Sequence, residues 1–185
     1  RDRPITAETC PHYLLLDGRD MERIGSVLKI NPPLRSIRDV EGLWRGLLNG
    51  SIDVIASDHS PHTLEEKTME NIWDVPSGFV GVETSLPLMI NQYVRVSSEN
   101  PAKVYGLYPR KGVIKVGVDA DLTIVDMKKE SVIKAEKLHS KSKVTPFDGW
   151  KVKGIPTHTI VRGNIVMEEG EIYGAPKGIL IRPET

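Results

Sequence analysis

The chain has 185 residues, enough for one ordinary domain or one and a half small ones. Its 25 basic and 25 acidic residues cancel, which removes any electrostatic reason to expect nucleic acid or an anionic membrane as partner. A composition 39% hydrophobic and 27% charged excludes a disordered chain, and the single cysteine, Cys10, excludes a disulfide framework and fits a reducing, cytoplasmic location.

No apolar run approaches the roughly 18–20 residues that span a bilayer. The chain opens on Arg1 rather than Met and runs straight into strand-like sequence, so it reads as a fragment of something longer. Ile5 to Cys10 is a short β-branched run that stops at Pro11, which has no N–H for ladder pairing. Lys29 to Arg35 cannot be helical, because Pro32 and Pro33 push their predecessors to extended geometry. Val40, Leu43, Trp44, Leu47 and Leu48 then recur at helical spacing, with Asp39 near the start and Asn49-Gly50 as the stop. Ile52 to Ser57 is a nearly all-apolar strand of the kind covered on both faces. Strand, helix and strand in this order predict a parallel α/β unit.

Asp58 to Gly81 reads as a long loop, with Pro61, Pro76, Gly78 and Gly81 along it, and long ordered loops after parallel strands are usually functional. Glu83 to Val94 and Asn100 to Leu107 read as helices. After Pro109 glycines punctuate short runs such as Leu122 to Val125 and Thr159 to Val161, the pattern of small antiparallel β structure. Gly163-Asn164 is placed to turn a hairpin between Ile160-Val161 and Ile165 to Met167.

Polar residues at the C-terminal ends of parallel strands read as catalytic, and Asp58, His59 and His62 stand directly after the apolar strand. A carboxylate there can bind a divalent metal and accept a proton. The simpler reading, a turn-forming aspartate in a polar loop, has about equal weight on residues alone. Asn31, between a short apolar run and two prolines, suits a ligand with amides of its own, or is a turn residue. His12 stands at another strand end, where a structural role outweighs a metal role. Cys10 reads as a small core residue. Gly81 suits close backbone approach to a ligand, or a turn. His139 and His158 read as surface or packing residues, Trp44 as core, and Trp73 and Trp150 as covers for apolar edges.

These pieces, in this order, resemble the cyclic amidohydrolases. The resemblance rests on Glu8 to Leu14, Ile30 to Arg35, Ala56 to His62, Gly78 to Leu88, Asn100 to Lys103, Gly117 to Leu122, Thr145 to Trp150 and Val161 to Gly163, which together span most of the chain. Within that group Asn31-Pro32-Pro33-Leu34-Arg35 and Asp58-His59-Ser60-Pro61-His62 are nearest the dihydroorotase family, with Ser60 in place of its usual alanine. Allantoinases tend to end the second motif in cysteine and hydantoinases in phenylalanine.

The resemblance implies an α/β fold: residues 1–108 as the last strands and helices of a (β/α)8 TIM barrel, and residues 109–185 as part of a small β-sandwich. It implies reversible, zinc-dependent hydrolysis of dihydroorotate to N-carbamoyl-aspartate in pyrimidine biosynthesis, one or two zinc ions generating hydroxide and polarising the carbonyl. Asp58 would bind metal and shuttle a proton, while Asn31, His62 and the backbone near Gly81 would hold the substrate. The implied partners are a small-molecule substrate, a second copy of the chain in a homodimer, and an aspartate transcarbamoylase. Alternatives on the same scaffold are allantoinase or hydantoinase activity, or a catalytically degenerate scaffold. The family's other metal ligands are expected upstream of residue 1, leaving Asp58 as this chain's ligand and the isolated piece inactive. The stretch from Asn91 to Glu99 is short for the family, which has a further helix before Asn100.

Overall fold

The computed structural model describes residues 5–183. Strand β1 (Glu8–Thr9) pairs in parallel with β2 (Val54–Ile55), Glu8 opposite Val54 and Thr9 opposite Ile55. Both β2 side chains are buried. Between the two strands lie α1 (Pro11–Leu15), α2 (Gly18–Ile24), a 3-10 turn at Gly25–Leu28, an extended stretch through Asn31 to Arg35, and α3 (Ile37–Leu48). Proline at the first position of α1 loses nothing, since that N–H has no intrahelical partner. Ser36 and Asp39 cap α3 reciprocally, and Asn49 ends it. Trp44 is half-buried on α3 and donates its indole N–H to the Leu14 carbonyl at 2.7 Å.

The long loop after β2 contains a single helical turn, α4 (Leu64–Lys67), opened by a Thr63–Glu66 capping box. Helix α5 (Val82–Val94) then continues without a break through a π-helical turn at Arg95–Glu99 into α6 (Asn100–Val104). So the extra helix the resemblance expects before Asn100 is replaced by one unbroken helical course. The Asn100 N–H reaches back to the Arg95 carbonyl, and Pro101 beside it has no N–H to donate, so the wider turn sits where the α ladder loses a donor.

A four-stranded antiparallel sheet follows, ordered β3 (Leu122–Val132), β4 (Lys151–Val161), β5 (Asn164–Glu168) and β6 (Glu171–Ile172). Val161 pairs with Asn164, so the β4–β5 turn is Arg162-Gly163, one residue earlier than expected. Both turn residues have positive φ, 45° and 77°, the geometry that matches the twist of the flanking strands.

One buried cluster joins the two parts: Leu16, Leu28, Ile30 and Phe79 meet Ile133 and Phe147. Phe147 is 1% exposed and stands edge-on between Phe79 and Trp150, at ring separations of 6.4 and 5.2 Å. A second cluster packs Leu14, Leu47 and Ile55 against Met89 and Val96. Trp150 thus covers an apolar edge as expected, whereas Trp73 is 84% exposed and covers none.

Candidate functional site

Pairing β1 with β2 brings the residues after each strand together. Cys10, His12 and Asp58 place their ligand-type atoms within 4.8 Å of one another. Cys10 and His12 are buried and Asp58 is exposed, so the cluster has a closed floor and an open carboxylate. Asp58 has φ 47°, a left-handed conformation that aspartate tolerates better than most residues.

His12 packs edge-on against Tyr13 at 4.2 Å and Phe79 at 5.2 Å between ring centroids. Its Nε2 is buried and, among the described residues, has no hydrogen-bond partner in the protein. Burial pushes its pKa down to about 4 against the pull of the Asp58 carboxylate, so the ring is neutral near pH 7. A neutral imidazole is the protonation state that can bind a metal. Burial, with Asp58 and Glu8 nearby, pushes the Cys10 thiol up to about 12 and keeps it protonated. The donor set of this cluster therefore fits a divalent ion held chiefly by His12 and Asp58.

The loop residues expected at the site lie on segments stitched together around it. Ser60 N–H donates to the Phe79 carbonyl at 3.1 Å, and Gly78 N–H to the Lys29 carbonyl at 2.9 Å. Both glycines are required by proximity. A Cβ on Gly78 would stand 2.5 Å from Ser60 Cβ, and one on Gly81 would stand 2.5 Å from the Ser57 carbonyl oxygen. Gly81 N–H donates to His59 Nδ1 at 3.1 Å, and the Val82 N–H also points there at 3.3 Å. His59 therefore caps α5, with its own proton on Nε2. The Gly81 carbonyl accepts from the Ser85 N–H and from the hydroxyls of Thr84 and Ser85. With N–H and carbonyl both engaged, Gly81 also lets the chain pass close to Ser57.

Asn31 is exposed and donates from Nδ2 to Ser77 Oγ at 2.9 Å, so it belongs to the same stitched loops. His62 lies further along, its Nδ1 at 3.6 Å from Glu66 Oε2 and its carbonyl accepting from Ser142 Oγ. Among the described residues, Asp58 alone of the four expected site residues joins the metal-type cluster. The sequence reading names Asp58 as ligand and leaves His12 as structural. The signal that finds His12 is the parallel pairing itself, since adjacent strands must bring their C-terminal ends together. His139, read as a surface or packing residue, pairs through Nδ1 with Glu83 Oε1 at 3.0 Å at the start of α5.

Comparison with known proteins follows the same outline. The model of the amidohydrolase family matches residues 14–166. A dihydroorotase of Geobacter sp. (strain M21) is 44% identical over 177 residues, covering 90% of this chain and 41% of the relative. An L-hydantoinase of Paenarthrobacter aurescens is 40% identical over 181 residues, covering 91% of this chain and 40% of the relative. Among solved structures, the L-hydantoinase from Arthrobacter aurescens superposes with a TM-score of 0.87 at 41% identity, covering 91% of this chain and 40% of that one. The D-hydantoinase from Thermus sp. gives a TM-score of 0.87 at 31% identity, over 95% and 42%. The chain thus spans about two fifths of the length of the relatives it matches.

Proposed function

The chain belongs to the amidohydrolase family, and from that premise we propose that it is the C-terminal part of a metal-dependent cyclic amidohydrolase acting on dihydroorotate. In this reading β1 and β2 are two strands of an eight-stranded barrel, and β3 to β6 belong to a small β-sandwich. The observation that carries it is the unpartnered buried Nε2 of His12 beside the Asp58 carboxylate. An unmet buried nitrogen costs roughly 1–3 kcal/mol, which a bound ion removes.

His12 and Asp58 would hold zinc, and the ion, when bound, supplies Lewis-acid polarisation of the ring carbonyl and an acidified water. Asp58 sits on the open side, where its carboxylate can take a proton from the attacking water and return it to the leaving ring nitrogen. The Asn31 carboxamide, already aimed by Ser77, offers its remaining donor and its oxygen to the ring amides. His62 offers an imidazole to the substrate carboxylate, its Nδ1 standing 3.6 Å from Glu66 Oε2. The apolar packing of Phe79 on His12 keeps water from the buried side.

Hydantoinase activity is the second reading, favoured by the superposition on the L-hydantoinase. The two separate in one assay of the full-length zinc-loaded protein against dihydroorotate, hydantoins and allantoin. Dihydroorotate as the preferred ring bears out the first reading, and a hydantoin preference replaces it with the second. Asp58→Asn should lower turnover by about 10²–10⁴-fold. His12→Ala should lower the zinc content measured by elemental analysis, and full zinc retention in that variant would sink the metal assignment. The 185-residue piece alone is expected to be inactive and to bind zinc weakly, because it spans only 41% and 40% of the relatives it matches, and in this reading the other ligands and strands come from the remainder.

A further inference from the structure

Lys67 is the last residue of α4 and is 0% exposed. Lysines are almost never fully buried unless paired, and among the described residues no carboxylate pairs with this one. Its Nζ donates instead to two backbone carbonyls, Lys29 O at 3.0 Å and Pro76 O at 2.9 Å. Burial, with help from the Lys29 ammonium, pushes its pKa down to about 8. An apolar side chain would fill the same space without that cost, so the amine here points to a geometric role.

What it grips is specific. Lys29 stands two residues before Asn31, and Pro76 one residue before Ser77, the hydroxyl that receives the Asn31 amide at 2.9 Å. The Lys29 carbonyl also takes the Gly78 N–H at 2.9 Å, so a single oxygen holds both α4 and the glycine loop. The Lys29 side chain closes the other side by donating to the carbonyls of Ile72, at 2.6 Å, and Trp73, at 3.1 Å. Ser26 Oγ bonds the Lys67 carbonyl at 2.5 Å and fixes the base of the side chain.

We propose that Lys67 is a positioning residue for substrate: its amine sets the spacing between the 29–31 segment and the 76–78 segment, and so aims the Asn31 carboxamide. The proposal rests on the reading of Asn31 as a substrate-binding residue, and its test separates the two. In the full-length zinc-loaded protein, with whichever ring of the panel it hydrolyses fastest, Lys67→Met should raise KM about tenfold, near the worth of one hydrogen bond, with kcat within about threefold. Lys67→Arg, which keeps donors on a long side chain, should recover part of that loss. Asn31→Ala should also raise KM, and adding Lys67→Met to it should change KM little further, because the two act through one contact. Without substrate, amide exchange at Gly78 should quicken in Lys67→Met. Where Met at this position does not fold, Lys67→Gln, which keeps a donor but shortens the reach, carries the same readings.

An unchanged KM in a folded Lys67 variant, full additivity with Asn31→Ala, or unaltered exchange at Gly78 overturns the proposal alone. An unchanged KM in Asn31→Ala, or no hydrolysis of any ring, overturns the substrate reading and the proposal with it.

Discussion

In the part of the chain up to Val104 the paired strands are two residues long, whereas β3 and β4 run for eleven residues each. Burial goes the other way. Both residues of β2 and all four of the neighbouring loop from Gly78 to Gly81 are buried, while β3 is exposed along most of its length and Ile124, Ile165 and Ile172 stand 48, 52 and 65% open. The sheet satisfies its backbone by ladder and leaves most of the β3 side chains outside, while β4 is half-buried. The strand-end region buries β2 and the loop behind it, leaves Asp58 and Asn31 open, and satisfies backbone groups one at a time, through Lys67, Trp44, and Asn100, which donates to the Asp53 carbonyl at 2.6 Å. Where the ladder stops, backbone groups need side-chain partners, and polar side chains become fixed in space. The candidate site lies in that region for this reason.

The contrast can be tested from its strongest point downward. Phe147 lies in the cluster that joins the two regions, so Phe147→Ala should cost about 3–5 kcal/mol in denaturant unfolding of the full-length protein. A cost under about 1 kcal/mol would mean that the regions do not share a core.

Next is the buried lysine. Its folded pKa of about 8 lies below the ordinary 10.5, so between those values the unfolded chain binds more protons. Stability should therefore rise as pH goes from 8 to 10.5, by roughly 3 kcal/mol at most, and Lys67→Met should remove that rise. A neutral amine still has two hydrogens for the two carbonyls, so the contacts outlast the charge. Gly81→Ala should cost about 1–3 kcal/mol and reduce turnover, since the added methyl meets a backbone oxygen that cannot swing away. Smallest of all, Ile165→Thr on the open sheet should stay within about 0.5 kcal/mol, and a larger loss would reveal a cover over that face.

The residues differ in how openly they announce these roles. Helix α3 was legible because its apolar period and its Asn49-Gly50 stop act locally. The β4–β5 hairpin is legible too, but its centre lies one residue earlier, at Arg162-Gly163, both with positive φ. Helix α4 interrupts the stretch that the sequence presents as a long loop, and Thr63 and Glu66 spell its capping box. Asp58 was found from its place after an apolar strand. His12 needed the further step of laying β1 beside β2, because 46 residues separate it from Asp58 in the chain. Lys67, following two glutamates, reads as a solvated charge, and nothing local says that it turns inward.

The oxygen of Lys29 that receives both Gly78 and Lys67 has a consequence for how this region can drift in evolution. A main-chain carbonyl is the same atom whatever side chain stands beside it, so the acceptor at position 29 would outlast a change that gave up the Lys29 bonds to Ile72 and Trp73. The donor enjoys no such freedom, because few side chains deliver an amine that far into the interior. Constraint on this contact is therefore one-sided, and paired substitutions would leave no trace of it. A search for co-varying positions would pass over the joint that holds the two loops together.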